Sequence, residues 1–279
     1  MAEDPANGRV LLFGGADAND TSLGGTYEWD GTRWAQLQPS SAPAGYSNSM
    51  AEDPAQGGDL LFGGGVGTPG GGPWLVPDDQ TWLWAHGTWT ELHPAHHPKQ
   101  GGSMAYDDAT GQIMLLSDAT VSNATWVWTG SDWNDIQGGP FLTSSGELAY
   151  DPQMGNLLMT EGSFTQSSGG PIWAWDGTGW NELAAVLPGH SCEVFATDYL
   201  HGDVVCLDDS NVTFLFSGGT WTGPYDTGLP PGLASNSYTY SPIGNCVAVF
   251  GGSLDTAPTN SVTSGMYVWT GSEWSAVPS

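Results

Sequence analysis

Asp118, Glu161, Asp208 and Asp209 are the side chains whose type and spacing best suit chemistry in this chain. Asp118, Glu161 and Asp208 follow one another at intervals of 43 and 47 residues, each at the end of a short aliphatic run. A repeated fold would carry such carboxylates toward one another. Converging oxygens can hold a hard cation such as Ca²⁺. Crowded like charges can also raise one carboxyl pKa and create an acid/base pair. The same residues could equally cap turns and face solvent. A second candidate is Trp74 in a Gly-rich stretch, followed by Asp78 and Asp79. An indole beside carboxylates suits stacking on a sugar ring whose hydroxyls the carboxylates accept; alternatively the indole folds back as a lid on its own loop. Asp17-x-Asn19-Asp20 resembles the opening of a calcium loop but lacks the spaced Gly and terminal Glu. His86, His93, His96 and His97 cluster, with His190 and His201 elsewhere. Adjacent strand residues face opposite ways, so His96 and His97 read as solvated linker histidines rather than one metal site.

The elements that must position these groups are set by a repeat. An aromatic-x-aromatic pair is followed five residues later by Trp in six places: Tyr27-Trp29-Trp34, Trp82-Trp84-Trp89, Trp126-Trp128-Trp133, Trp173-Trp175-Trp180, Phe214-Phe216-Trp221 and Tyr267-Trp269-Trp274. These copies hold 14 of the 15 tryptophans, so Trp74 alone lies off the pattern. Aromatics at period two predict strand. Gly31, Gly130, Gly177 and Gly271 sit two residues after the first Trp, where a hairpin loop needs positive φ. In the second copy the glycine moves to Gly87, which predicts one extra turn residue. The two aromatics flanking each turn should pair across the hairpin.

A second motif precedes each Trp motif: a short strand, an Asp-Pro-like turn, an aliphatic strand, then often Gly-Gly. Ser49-Met50-Ala51-Glu52-Asp53-Pro54 leads to Leu60-Leu61-Phe62-Gly63-Gly64, and Val247-Ala248-Val249-Phe250-Gly251-Gly252 repeats the end. Proline presets φ for a type I turn, so this motif predicts a hairpin. Four antiparallel strands per repeat follow. Repeats three to five replace Gly-Gly with Ser117-Asp118, Glu161-Gly162 and Asp208-Asp209.

Aliphatic-Phe-Gly-Gly, aromatic-x-Trp and a closing Trp at a period near fifty resemble the kelch repeat, and self-similarity at that period signals a propeller or solenoid. The variety looks like bacterial secreted kelch domains and the propeller domain of galactose oxidase. The resemblance covers essentially the whole chain and implies an all-β, six-bladed β-propeller of four-stranded blades. It implies a single domain, 1–279, with blades near 1–44, 45–99, 100–142, 143–187, 188–231 and 232–279. The copper chemistry of galactose oxidase is not carried over, since no cysteine here matches its cross-linked Tyr-Cys motif. In such propellers ligands meet the face that receives the second-to-third strand connections. Those connections read as long loops at 16–25, 65–80 and 253–265. The first repeat begins at the end of its innermost strand, so either blade one has a stunted inner strand or the chain is cut from something longer, and an open inner edge would invite self-assembly.

Composition narrows the partners. Thirty acidic residues face three basic ones, for a formal net charge of −27. Nucleic-acid binding needs a basic footprint, and an anionic membrane surface needs one too. Neither is available, and no apolar run suits membrane insertion. Two arginines cannot build a carboxylate-binding cluster of a sialidase kind. Sugars, divalent cations and basic peptides remain. Cys192 and Cys206 lie on neighbouring strands, where a disulfide is open but not required, and Cys246 is left over. Low Lys, abundant Gly and Trp, and Asn-x-Ser/Thr sites at Asn19, Asn123 and Asn211 favour an extracellular or cell-surface address, bacterial in style. The reading is a non-catalytic binding or structural module that engages glycan or protein ligands through its loop face, with no required cofactor. A carbohydrate-active enzyme using the carboxylates, and a structural subunit of an extracellular assembly joined through blade one, are the alternatives.

Overall fold

The computed structural model describes the chain except residues 5–6, 18–21, 46–47, 69–71, 78, 118–123, 137–145, 162–169, 188–189, 209, 226–228, 230–232, 235–236, 255–260 and 278–279. For 66–68, 72–77, 124, 161, 186, 233–234, 237, 253–254 and 261–262 only the backbone is described. The protein is an all-β, six-bladed β-propeller, each blade a four-stranded antiparallel sheet in sequence order. Its contacts divide into two compact units, Met1–Tyr106 with Gly111–Phe141, and Asp107–Thr110 with Leu142–Ser279.

The first unit holds blade one (Ala2–Asp4, Arg9–Phe13, Thr26–Trp29, Trp34–Leu37) and blade two (Ser49–Asp53, Gly58–Phe62, Thr81–Ala85, Thr88–Leu92). It also holds blade three (Met104–Asp107, Gln112–Ser117, Ala124–Trp128, Trp133–Ile136), apart from the Asp107–Thr110 turn. The second holds blade four (Gly146–Asp151, Asn156–Glu161, Pro171–Trp175, Trp180–Val186) and blade five (Cys192–Asp198, Asp203–Asp208, Thr213–Ser217, Thr220–Tyr225). Blade six is Ser237–Ser241, Cys246–Phe250, Met266–Trp269 and Trp274–Val277. The first strand of blade one has three residues and pairs with the second, Ala2 opposite Leu11, Glu3 opposite Val10 and Asp4 opposite Arg9.

Each hairpin forms for the reasons its residues give. The two aromatics flanking the last turn stack at centroid distances of 5.0–5.5 Å in all six blades, for instance Trp29 on Trp34 and Phe216 on Trp221. Gly31, Gly130, Gly177 and Gly271 adopt φ near +90°. Blade two departs from expectation: it has no extra residue. Ala85 pairs with Thr88, so His86 and Gly87, both at positive φ, make a tighter two-residue turn. The turn between the first two strands depends on a buried aspartate more than on proline. Asp4, Asp53, Asp107, Asp151 and Asp198 each end a first strand, and their carboxylates accept N–H groups two or three residues on. The stretches expected as open loops in blades two and six also carry strand: Gly65–Thr68 pairs with Gly72–Pro77, and Ser253–Leu254 pairs with Leu233–Ala234 and Ser261–Val262.

Within each unit the blades pack face to face through aliphatic second strands and the closing tryptophans. Leu11, Leu61, Trp84 and Trp89 share one core; Leu60, Leu115, Trp128 and Trp133 share the next. In the second unit Phe195, Val204 and Phe216 join blade five to blade four, and Val205, Val249 and Trp274 join it to blade six. A polar bond recurs inside this apolar packing. The closing indole of one blade donates to the threonine that opens the third strand of the preceding blade: Trp89 to Thr26 at 3.0 Å, Trp133 to Thr81 at 3.1 Å and Trp274 to Thr213 at 2.9 Å. In blade four that position is Ile172, whose side chain has no donor or acceptor, and the Trp221 Nε1 that should use it is buried without a hydrogen-bond partner. Valine has the shape of threonine but no hydroxyl, so Thr213→Val should strand the Trp274 N–H. An expected loss of about 1–3 kcal/mol can be read by urea unfolding.

Asp59 breaks the pattern of the second strands. It sits opposite Trp84, where blades one, three and five place Val10, Ile113 and Val204. It is fully buried and neither carboxylate oxygen has a hydrogen-bond partner. Burial raises its pKa well above the ordinary value, and the charges of Asp4, Glu52 and Glu3 raise it further against the opposing amino group of Met1. A carboxyl with a raised folded pKa costs stability once the pH passes its unfolded value of about 3.9, and the cost grows until the folded pKa is reached. Asp59→Val should therefore stabilise by about 1–3 kcal/mol at pH 7, and urea titrations should show the gain shrinking toward pH 4.

Candidate functional site

Blade five gathers the most chemically organised group of side chains among the described residues. Asp208 ends its second strand, as the repeat predicts, directly opposite Cys192 at the start of the first. The Asp208 carboxylate is 1% exposed. Its Oδ1 accepts the N–H groups of Ser210 at 3.0 Å and Val212 at 2.7 Å, shaping the turn into the third strand. Its Oδ2 lies 2.5 Å from Nδ1 of His190 in the link from blade four. The turn closes with backbone bonds between Asp208 and both Asn211 and Val212.

His190 is held from two sides. Asp208 fixes one ring nitrogen, and Phe214 packs against the ring at a centroid distance of 4.7 Å. The imidazole is 35% exposed and lines a cavity of about 540 Å³ between the fourth strands of blades four and five. Leu187, Phe214, Trp221 and Pro224 supply apolar wall, and Thr222 supplies a hydroxyl-bearing residue. Gly223 shapes this wall: at φ +121°, a Cβ there would lie 3.1 Å from both the Phe214 ring and the Thr213 carbonyl. A disulfide between Cys192 and Cys206, with Cα atoms 5.3 Å apart, ties together the two strands that present the pair. Cys246 is free, and burial pushes its thiol up to about 11.

Apolar walls with one oriented imidazole can bind a partly apolar ligand and fix it by a single polar contact. The carboxylate itself is unavailable to a ligand, because it is enclosed and already accepts three donors.

The other expected residues do not join this group. Glu161 ends the second strand of blade four, with its side chain outside the described residues. Asp78, Asp118, Asp209, Asn19 and Asp20 lie outside them entirely. Trp74 lies on the Gly72–Pro77 strand, described by its backbone alone. Asp79 is exposed, 3.6 Å from Nδ1 of His97. Asp17 follows the Ala16–Ser22 bridge and is partly buried. His96 pairs with Asp132 instead of with His97, and that hydrogen bond holds the Asp132 carboxyl below its ordinary range. Among the described residues no three His, Cys, Asp or Glu side chains converge on a common metal position. His190 is what the sequence reading passed over. Its signal is a mirrored spacing, His190-x-Cys192 against Cys206-x-Asp208, which antiparallel pairing folds together.

No protein-family model matches the chain, and no curated protein matches it. Among solved structures, that of YjhT is similar at a TM-score of 0.63, covering 90% of this chain and 90% of that one at 12% identity. A likeness at that identity shows a shared propeller fold and nothing of ligand or activity.

Asparagine in place of Asp208 keeps an acceptor for the turn but gives up the charge that holds the imidazole. Asp208→Asn should keep the far-ultraviolet spectrum of the fold, cost about 1.5–3 kcal/mol in unfolding free energy, and shift the ¹⁵N resonances of His190 but not those of His96.

Proposed function

We propose that this chain is a divergent kelch-like propeller acting as a secreted or cell-surface binding module, and that it takes a glycan in the cavity between blades four and five. The observation that carries this reading is His190, oriented by a buried carboxylate and packed on Phe214 at the edge of an aromatic-walled cavity. Aromatic faces accept the apolar face of a sugar ring while a few placed polar groups fix its orientation. A net charge of −27 favours neutral over anionic ligands. The enclosed state of Asp208 favours binding over hydrolysis, since an acid/base carboxylate must reach its substrate. The disulfide supports an address outside the reducing cytoplasm.

The test is a glycan array probed with the purified protein, with and without Ca²⁺. Ala184→Trp, which fills the cavity from the fourth strand of blade four, should lower the affinity for any glycan hit about tenfold or more, equivalent to about 1.4 kcal/mol. Trp74→Ala should leave it unchanged. If Trp74→Ala abolishes binding and Ala184→Trp does not, the ligand belongs to the blade-two hairpin and this assignment is wrong.

A further inference from the structure

The His190–Asp208 pair and the Cys192–Cys206 disulfide are parts of one device. His190 stands two residues before Cys192, and Asp208 stands two residues after Cys206. The two strands run antiparallel with Cys192 opposite Asp208, so the covalent bridge lies next to the hydrogen-bonded pair. The ladder is irregular here: the register shifts between Cys192 and Val194, and the bridge adds a covalent tie at the start of this strand. Cys206 is also opposite Phe214, the residue the imidazole packs against. Both supports of His190 are therefore attached to the bridged strand.

The tautomer follows from the pair. Oδ1 of Asp208 accepts two backbone N–H groups, and Oδ2 faces Nδ1 of His190. An ionised carboxylate only accepts, so Nδ1 carries the hydrogen. In a neutral ring Nε2 is then an acceptor, and the group that matches it is a donor such as a sugar hydroxyl.

We infer that the cavity selects neutral, hydroxylated sugars through a hydroxyl donated to Nε2 of His190, and that the Cys192–Cys206 bridge is the positioning element that keeps this acceptor in place. This rests on the glycan reading above, and the two can fail separately. His201 provides an internal control. Its Nδ1 lies 2.7 Å from Oδ2 of Asp198 at the turn end of the same bridged hairpin, away from the disulfide, where the backbone ladder regularly pairs Thr197 with Val204 and Asp198 with Asp203.

The experiment has two readouts. Long-range ¹H–¹⁵N spectra of the imidazoles should show both His190 and His201 as Nδ1–H tautomers. In Cys192→Ala/Cys206→Ala, and in wild-type protein reduced with dithiothreitol, His190 should become a tautomer mixture while His201 is unchanged. On an array of neutral, uronate-containing and sulfated glycans, neutral members should dominate. His190→Phe and the disulfide-free protein should each bind about tenfold more weakly or worse, and His190→Gln, which keeps an acceptor, should recover part of the loss. An unchanged His190 spectrum without the disulfide overturns the positioning role. A preference for uronate or sulfate, or binding unaffected in His190→Phe, overturns the ligand assignment while leaving the binding function standing. An array with no hits overturns the glycan reading and this inference together.

Discussion

The interaction on which the rest of the structure depends is the closing tryptophan of each blade. Its ring stacks on the aromatic across its own hairpin, and the indole N–H groups of Trp89, Trp133 and Trp274 are bonded to threonines of the blades before them. One residue thus fixes the turn, fills the seam between sheets and sets the spacing of neighbouring blades. A buried indole N–H must find an acceptor or pay the full cost of desolvation, so the bond specifies register as well as adding stability. Aliphatic second strands supply the bulk of the burial, but they would tolerate sliding; the indole-to-threonine bond does not.

At the seam between blades four and five that arrangement lapses. Ile172 stands where threonine is needed, Trp221 keeps a buried N–H without a partner, and the cavity opens along the same Trp221. Blade five replaces the missing polar link by other means. Asp208 closes its turn and holds His190 in the link from blade four, and the disulfide ties its first two strands. Local relaxation of a repeated rule, with compensation around it, is the pattern expected where a scaffold has been adapted for a site.

Much of this was legible in the sequence, for physical reasons that differ by feature. Six aromatic hairpins, their glycines at positive φ and the four-strand unit follow from local periodicity and turn chemistry. The position of Asp208 at the end of a second strand followed from the repeat as well. The tighter turn of blade two did not, because spacing between Trp84 and Trp89 matches the other blades and only the pairing of Ala85 with Thr88 reveals the difference. The threonine acceptors were hidden because their partners lie 52 to 63 residues away. His190 was hidden for a related reason: its role exists only once a link between blades is folded against a strand end 18 residues on. The reading of Asp208 as an open, ligand-facing carboxylate rested on its place near a loop face. Place alone does not reveal that its own turn and a histidine use both of its oxygens.

The account is tested most directly by hydrogen exchange at the tryptophan indoles, followed by NMR in ²H₂O. The Nε1–H groups of Trp89, Trp133 and Trp274 should be the most protected, exchanging only through opening of the blades, while that of Trp221 should exchange markedly faster. Equal protection at Trp221, or fast exchange at the three bonded indoles, would contradict the claim that indole-to-threonine bonds hold the blades together and that the seam at blade five is built differently.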